Sequence, residues 1–362
     1  MSRASNILLF CYVSTLLGCG GTVVEAISQG TTGAGGAAAS TTGSSGTAST
    51  TGSSGAGGAN GAGGSSGSGG GGIVAPACAP GTAVVASSTT LIAALAVRGG
   101  EVFWLEAQTG LVRKAPACGG APVTLAQSPS SPEQLVVDDA NVYWTAGDSV
   151  LQVPVGGGST TTVASGQMAA TGIAVDATSV YWLGSGILSK APIGGGAPTV
   201  LWKEPFSIGY YQNLVVGAAH VYWVNDTVDD VESIPIGGGA MNVIASVQAG
   251  PAGLAVDATS VYWTTAASAS GTVTKAPLGG GAQVTLASSQ LGPVAMAVDD
   301  TSAYWINANG VPGVVMKAPL GGGEATMIAT GPIEASIAVD AGNVYWIASD
   351  SAGWHVMRLT PN

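Results

Sequence analysis

An aromatic pair ending in tryptophan recurs seven times along the chain. The pairs are Phe103-Trp104, Tyr143-Trp144, Tyr181-Trp182, Tyr222-Trp223, Tyr262-Trp263, Tyr304-Trp305 and Tyr345-Trp346, and successive pairs begin 38 to 42 residues apart. A period of this length marks stacked structural units, none of which buries its apolar face alone. One clear copy runs Leu254-Ala-Val-Asp257, Val261-Tyr-Trp-Thr-Thr265, Gly271 to Leu278, then Gln283-Val-Thr-Leu-Ala287. These are four short β-prone runs, separated by an Asp-started turn, a loop and a triple glycine. We label them strands A to D.

Four strands in about forty residues make a propeller blade, and no helical periodicity is present to suggest a helical solenoid. The predicted fold is therefore all-β: a seven-bladed β-propeller of four-stranded antiparallel blades. The last repeat stops after its third strand, at His355–Thr360, while Thr82-Ala-Val-Val-Ala86 matches the fourth-strand run Val123-Thr-Leu-Ala126 without a blade of its own. The N-terminal strand is thus expected to complete the last blade, which removes open edges and locks the ring.

The sequence predicts three regions: residues 1–18, 19–76 and 77–362. In the first, Arg3 and the apolar run Ile7 to Leu17 read as a signal peptide, too short to span a bilayer with margin. The ending Leu16-Leu17-Gly18-Cys19 resembles the lipobox of bacterial lipoproteins, which implies lipidation of Cys19 and a membrane anchor. The alternative is ordinary cleavage with Cys19 incidental. Gly20 follows the cysteine where, by resemblance to enteric sorting, an Asp would retain the protein at the inner membrane. The expected address is the bacterial envelope, at the outer membrane or cell surface. Residues 20–76 are mostly Gly, Ser, Thr and Ala with a single charge, Glu25. Such a segment buries too little to order itself and is expected to be a tether reaching roughly 40 Å.

Nine basic against 20 acidic residues give a formal charge of −11, which argues against a nucleic-acid partner. The expected state is a monomer. Four cysteines are too few for a disulfide scaffold or a cysteine zinc cluster. Cys78 and Cys118 are the two that fall in the repeat region, and an oxidising envelope favours pairing them. Against this, they stand in the same register of neighbouring blades, where equivalent points are expected to lie beyond disulfide reach unless the chain bends inward at Cys78.

The unit Ile173-Ala-Val-Asp176, Val180-Tyr-Trp182 and Lys190-Ala-Pro, recurring over 80–360, resembles the YWTD repeat of the low-density lipoprotein receptor family. That resemblance implies a propeller used for binding rather than chemistry. Two departures stand out. The family closes with six blades, and its aspartate after Tyr-Trp-Thr is replaced here by Glu106, Ala146, Gly184, Asn225, Thr265, Asn307 and Ala348. Lipobox, tether and Tyr-Trp propeller together also resemble surface lipoproteins of myxobacteria.

Five repeats end strand A on Asp (Asp138, Asp176, Asp257, Asp299, Asp340) and five end strand C on a base (Lys114, Lys190, Lys275, Lys317, Arg358). Each Asp and base are expected to meet within a blade as a structural ring of pairs. The triple glycines tighten turns and are not phosphate loops, since no helix or Lys-Ser/Thr follows them.

Function is sought where the repeat breaks. The connection from Leu201 to Val216 is longer than its six counterparts, and Trp202 stands where the other six repeats carry Ala. The candidate binding face is Trp202, Phe206, Tyr210 and Tyr211 with Asn225, Asp226, Asp229, Asp230 and Glu232 from the next loop. Aromatics beside carboxylates suit a carbohydrate, a cationic peptide or Ca2+, although no EF-hand spacing occurs and no cofactor or metal site is assigned. The alternative is a locally packed loop with solvated acids. The leading reading is a tethered module binding a protein or glycan. Two others are kept: an envelope enzyme of the lactonase or lyase type, for which His220 and His355 offer no visible constellation, and a scaffold for an envelope complex.

Overall fold

The computed structural model describes residues 78–167, 169–204, 211–266, 270–310 and 312–361, with the side chains of Tyr211, Gln212 and Ala335 set aside. The signal peptide, Cys19 and the tether lie outside the described residues, as do Phe206 and Tyr210.

Twenty-eight strands form seven four-stranded antiparallel sheets. Blade 1 is β2 (Ile92–Arg98), β3 (Glu101–Glu106), β4 (Leu111–Pro116) and β5 (Val123–Gln127). Blade 2 is β6 (Pro132–Val137), β7 (Asn141–Ala146), β8 (Ser149–Pro154) and β9 (Thr161–Ser165). Blade 3 is β10 (Ala170–Val175), β11 (Ser179–Gly184), β12 (Ile187–Pro192) and β13 (Thr199–Lys203). Blade 4 is β14 (Tyr211–Val216), β15 (His220–Asn225), β16 (Asp230–Pro235) and β17 (Asn242–Ala245). Blade 5 is β18 (Pro251–Val256), β19 (Ser260–Thr265), β20 (Gly271–Pro277) and β21 (Val284–Gln290). Blade 6 is β22 (Pro293–Val298), β23 (Ser302–Asn307), β24 (Gly313–Pro319) and β25 (Thr326–Gly331). Blade 7 takes β26 (Ile333–Asp340), β27 (Asn343–Asp350) and β28 (Gly353–Thr360), and its outer strand is β1 (Gly81–Ser88) from the other end of the domain. The ring is seven-bladed, as the repeat count predicted, and so differs from the six blades of the family that its repeats resemble.

Within each blade the B–C ladder is regular, whereas every A–B and C–D ladder carries a register shift. Bulges increase local twist, so the inner and outer strands turn away from a straight central pair. The ladders also define two rims. B–C and D–A connections share the upper rim, since Tyr211 pairs with Asn225 and Ile187 with Lys203. A–B and C–D turns share the lower rim.

The aromatic pairs are the mortar between blades. All seven tryptophans of the pairs are at most 3% exposed. Period-two alternation sends Tyr and Trp to opposite faces of their sheet. The Tyr (Phe103 in blade 1) packs toward the following blade and the Trp toward the preceding one. Seven apolar clusters result, each joining one blade's Tyr or Phe to the next blade's Trp, as in Tyr181 with Trp223 and Tyr222 with Trp263. Four indole N–H groups donate to the connection entering their blade: Trp144 to Ser128, Trp182 to Gln167, Trp263 to Gln248 and Trp305 to Gln290.

The expected Asp–base pairs do not form. Asp176, Asp257 and Asp299 each accept two turn N–H groups and the hydroxyl of their own blade's Tyr181, Tyr262 and Tyr304, and Asp138 does the same with Tyr143. The bases go elsewhere. Lys190 Nζ donates to Ile236 O at 2.6 Å and Lys275 Nζ to Leu320 O at 2.7 Å, both in the next blade's C–D turn. Lys114 pairs with Glu101, and Arg358 donates to Ala79 O. Blade 4 has Gly217 for Asp and Ser233 for the base. There the Tyr222 hydroxyl, with no aspartate to hold it, donates to Leu278 O of blade 5 and replaces the missing lysine. The aspartate therefore shapes its own turn, while Lys190, Lys275 and Tyr222 stitch their blades to the next.

Closure is covalent as well as hydrogen-bonded. Cys78 and Cys118 are disulfide-bonded, with Cα atoms 5.0 Å apart. The expected distance between equivalent rim points does not apply, because Cys78 precedes β1 rather than belonging to a C–D turn. The Arg358–Ala79 bond holds this lead-in beside β28 as it crosses to the blade 1 turn. At the other end of β1, Gly353 has φ +136°, and a Cβ there would overlap the Ser88 carbonyl, so only glycine admits the closing strand.

The disulfide closes a loop of 40 residues, for which chain entropy gives about 4 kcal/mol as an upper figure. Replacing Cys78 and Cys118 together by Ser is expected to lower the melting midpoint by roughly 5–10 °C. Differential scanning calorimetry of the double variant, compared with the parent under reducing conditions, measures this. Both should show the same loss.

Candidate functional site

Blade 4 differs most from its fellows, and the difference lies on the upper rim. Glu232 is in β16, directly across the ladder from Trp223, and is 4% exposed. Asn225, the last residue of β15, donates from Nδ2 to both carboxylate oxygens at 3.3 and 3.4 Å. The Trp223 indole N–H acts on the same carboxylate but has no regular hydrogen bond. Among the described residues no cation pairs with Glu232. Burial pushes its carboxyl up to about 7, aided by the charges of Asp230 and Glu204, against the pull of Asn225 and Trp223.

Blade 1 shows what the same two register positions do with a cation. Glu106 ends β3 as Asn225 ends β15, and Arg113 faces Trp104 as Glu232 faces Trp223. Arg113 Nη1 lies 3.0 Å from Glu106 Oε1, and Thr90 and Thr109 donate to Oε2. Burial again pushes the carboxyl up, but Arg113 and the hydroxyl groups outweigh it and hold Glu106 below its usual range. Blade 4 has the acid in the base's place and an amide in the acid's place, so its buried carboxylate lacks a counter-charge.

Trp202 is half-buried in β13 of blade 3. Its ring tilts against Trp223 at 41° with centroids 5.3 Å apart, and it packs with Leu201 and Ile236 in the seam between blades 3 and 4. Much of its surface is thus spent on structure. Tyr211 begins β14.

The loop between β15 and β16 holds Asp226, Asp229 and Asp230, with Val228 exposed among them. Asn225 Oδ1 accepts the Thr227 N–H and shapes the loop. Asp226 also shifts upward, by desolvation within the loop and by the Asp229 charge, but its side chain is exposed and water screens it. Asp230 Oδ1 accepts the Val247 N–H, and Asp229 O accepts that of Gln248. The loop is therefore fastened to the connection that enters blade 5.

That connection contains a residue the sequence reading passed over. Val247 has φ +55° and is 84% exposed. A β-branched residue in this region is strained. The position precedes the glutamine that caps the next tryptophan, where blade 2 has Gly166 (φ +69°) and blade 5 has Ser289 (φ +56°). Asp229, whose carbonyl accepts the Gln248 N–H beside it, has φ +60°. Aligning Gly166 with Val247 would have exposed the anomaly, because the backbone need repeats while the residue does not.

Among the described residues no three His, Cys, Asp or Glu side chains gather as metal ligands. His220 lies on the lower rim beside Tyr222. His355, expected to have no partner, sits between Ser87 Oγ (2.9 Å from Nδ1) and Asp350 Oδ1 (3.0 Å from Nε2), across the closing strand of blade 7.

No family model matches the chain, and no curated protein matches it. Among solved structures it is similar to one from a nidogen/laminin complex, at 20% identity and TM-score 0.50, covering 64% of this chain and 92% of that one. A computationally designed protein matches at 18% identity and TM-score 0.57, over 75% of this chain and 85% of that one. PorZ of Porphyromonas gingivalis, an essential bacterial surface component of the type-IX secretion system, matches at 15% identity and TM-score 0.50, over 73% of this chain and 36% of that one. At these identities the likeness shows the β-propeller fold alone.

Two stability measurements test this description. Glu232 has a raised folded pKa, so its ionisation destabilises the fold; the cost is absent below about 4.5, grows through neutral pH and is complete above about 7. Glu232→Gln should therefore raise the melting midpoint by roughly 2–4 °C at pH 8 and leave it unchanged near pH 4.5. Val247→Gly should stabilise by about 1 kcal/mol in chemical denaturation, by releasing the left-handed valine.

Proposed function

We propose that the protein is a lipid-anchored envelope lipoprotein whose propeller is a binding module, with the blade 4 upper rim as its reading surface. The observation that carries this is the coincidence at one blade of a buried Glu232 without a cation among the described residues, a strained exposed Val247 and an acidic loop. Strain and buried charge cost stability, and sites that retain both are characteristically functional. The exposed groups are Val228, Val247 and Asp226, with Asp229 and Asp230 half-buried beside them, while Trp202 is engaged in the seam. This composition suits a protein segment that alternates basic and aliphatic residues better than a sugar ring needing a free aromatic face.

The N-terminal sequence supports the address. Cys19 behind Leu16-Leu17-Gly18 fits lipid attachment, and residues 20–76 fit a spacer between membrane and propeller. For the binding role, propellers of similar fold include one from a complex of two proteins and one that is a bacterial surface component.

The test is capture by the full chain on arrays of basic peptides, envelope glycans and whole-cell surfaces. Asp229→Asn with Asp230→Asn, in a Val228→Ser background, should weaken peptide capture at least tenfold while the melting midpoint moves by only a few degrees. Capture should also be stronger at pH 8 than at pH 5.5, because Glu232 gains its charge through about 7 and Asp226 through about 6, and Glu232→Gln should reduce that difference. Selective capture of glycans by the parent, unaffected by these substitutions, would overturn the site assignment.

A further inference from the structure

At six of the seven seams the base is plugged by one residue of the C–D turn. These plugs are Ala117, Val155, Ile193, Ile236, Leu278 and Leu320, each following the turn proline or its equivalent. Each is docked by its own N–H to a carbonyl of its blade's A–B turn, at 2.8 to 3.2 Å. The plug carbonyl then serves the preceding blade: Ile236, Leu278 and Leu320 accept from Lys190, Tyr222 and Lys275. Apolar plug and carbonyl acceptor thus come as a unit.

The seam between blades 6 and 7 lacks that unit. Register places Pro361 at the plug position of blade 7, three residues after Arg358 as Ile193 follows Lys190. Proline has no N–H and cannot make the docking bond. Pro361 is exposed, and the cluster of this seam contains no plug residue. A cavity of about 260 Å3 opens in its place, with Ile328, Val344 and Leu359 among its walls and Thr360 at its edge. Lys317 of blade 6 lines it, the counterpart of Lys190 and Lys275. Its ammonium lies 5.3 Å from the centre of the Tyr304 ring, and among the described residues it has no hydrogen-bond or ion-pair partner. The nearby Asp299 is occupied by Thr301, Ser302 and Tyr304.

We propose that this lower-rim pocket binds a small branched aliphatic carboxylate, its carboxylate on Lys317 and its aliphatic group where the missing plug would sit. The cavity holds the volume of about eight or nine water molecules, so it suits a ligand the size of one leucine residue. A carboxylate adds a full opposite charge to the bond that Lys190 and Lys275 make with a neutral carbonyl, and so pairs more strongly. The chemistry is shared by a free small carboxylate and by the C-terminal leucine of a peptide. The site lies on the rim opposite blade 4 and does not depend on the binding role proposed there.

The test is calorimetric titration of the full chain with three probes: N-acetyl-leucine, N-acetyl-leucine amide and a neutral tripeptide ending in leucine. N-acetyl-leucine should bind and its amide should bind at least tenfold more weakly. Lys317→Met should abolish binding, while Lys275→Met, whose ammonium has a carbonyl partner, should leave it unchanged. Ile328→Trp, which fills the cavity from a half-exposed strand, should also abolish it and guards against misfolding of the lysine variant. Equal binding of the tripeptide would assign the site to peptide C-termini, and its exclusion to free carboxylates. Absence of N-acetyl-leucine binding at millimolar concentration, or undiminished binding by Lys317→Met, would overturn the proposal.

Discussion

Everything in this ring depends on one contact made seven times: the tyrosine (once phenylalanine) of one blade against the tryptophan of the next. Neither face of a four-stranded blade is covered by its own residues. Adjacent Tyr and Trp on a strand point to opposite faces, so one dipeptide supplies half of each flanking seam. The apolar core is therefore divided into seven clusters between blades. A blade without its neighbours would expose two such half-cores, which is why the chain must return upon itself.

The polar groups follow the same division. Asp138, Asp176, Asp257 and Asp299 are each confined to their own turn and their own tyrosine, whereas Lys190, Lys275 and Tyr222 reach across to a neighbour's carbonyl. Once the seam is the unit, the irregular places share one logic. Blade 4 gives up the aspartate and the base, and its tyrosine takes over the stitch. Its upper rim carries a carboxylate where blade 1 carries the arginine of an ion pair. The seam at blade 7 gives up the docked plug, and a lysine and a cavity are left facing each other.

Period and turn chemistry made the seven blades, the four strands and the closing strand at Thr82–Ala86 legible in the sequence, because each is a repeated local pattern. What lay outside it were relations between blades. The Asp–base ring was expected inside each blade because both residues lie on the lower rim. Lys190 and Lys275 instead reach the next blade. Cys78 looked misplaced because it shares the Ala-Pro-Ala-Cys spelling of Cys118, yet it precedes a strand that has no C–D turn. Trp202 was legible as an exception to alanine, but its stacking on Trp223 was not. Glu232 was visible as an acid, while its lack of a counter-charge appears only beside Arg113 in blade 1. Val247 was hidden, since nothing in a valine announces a left-handed backbone.

The seam account is tested most directly by amide hydrogen exchange of a Trp263→Leu variant, resolved along the chain. Trp263 belongs to blade 5 but packs with Tyr222 of blade 4. The account predicts that protection falls together on β15 and β19, the two sides of one seam, and is retained on blades 1, 2 and 7. Loss confined to blade 5, or spread evenly around the ring, would contradict it.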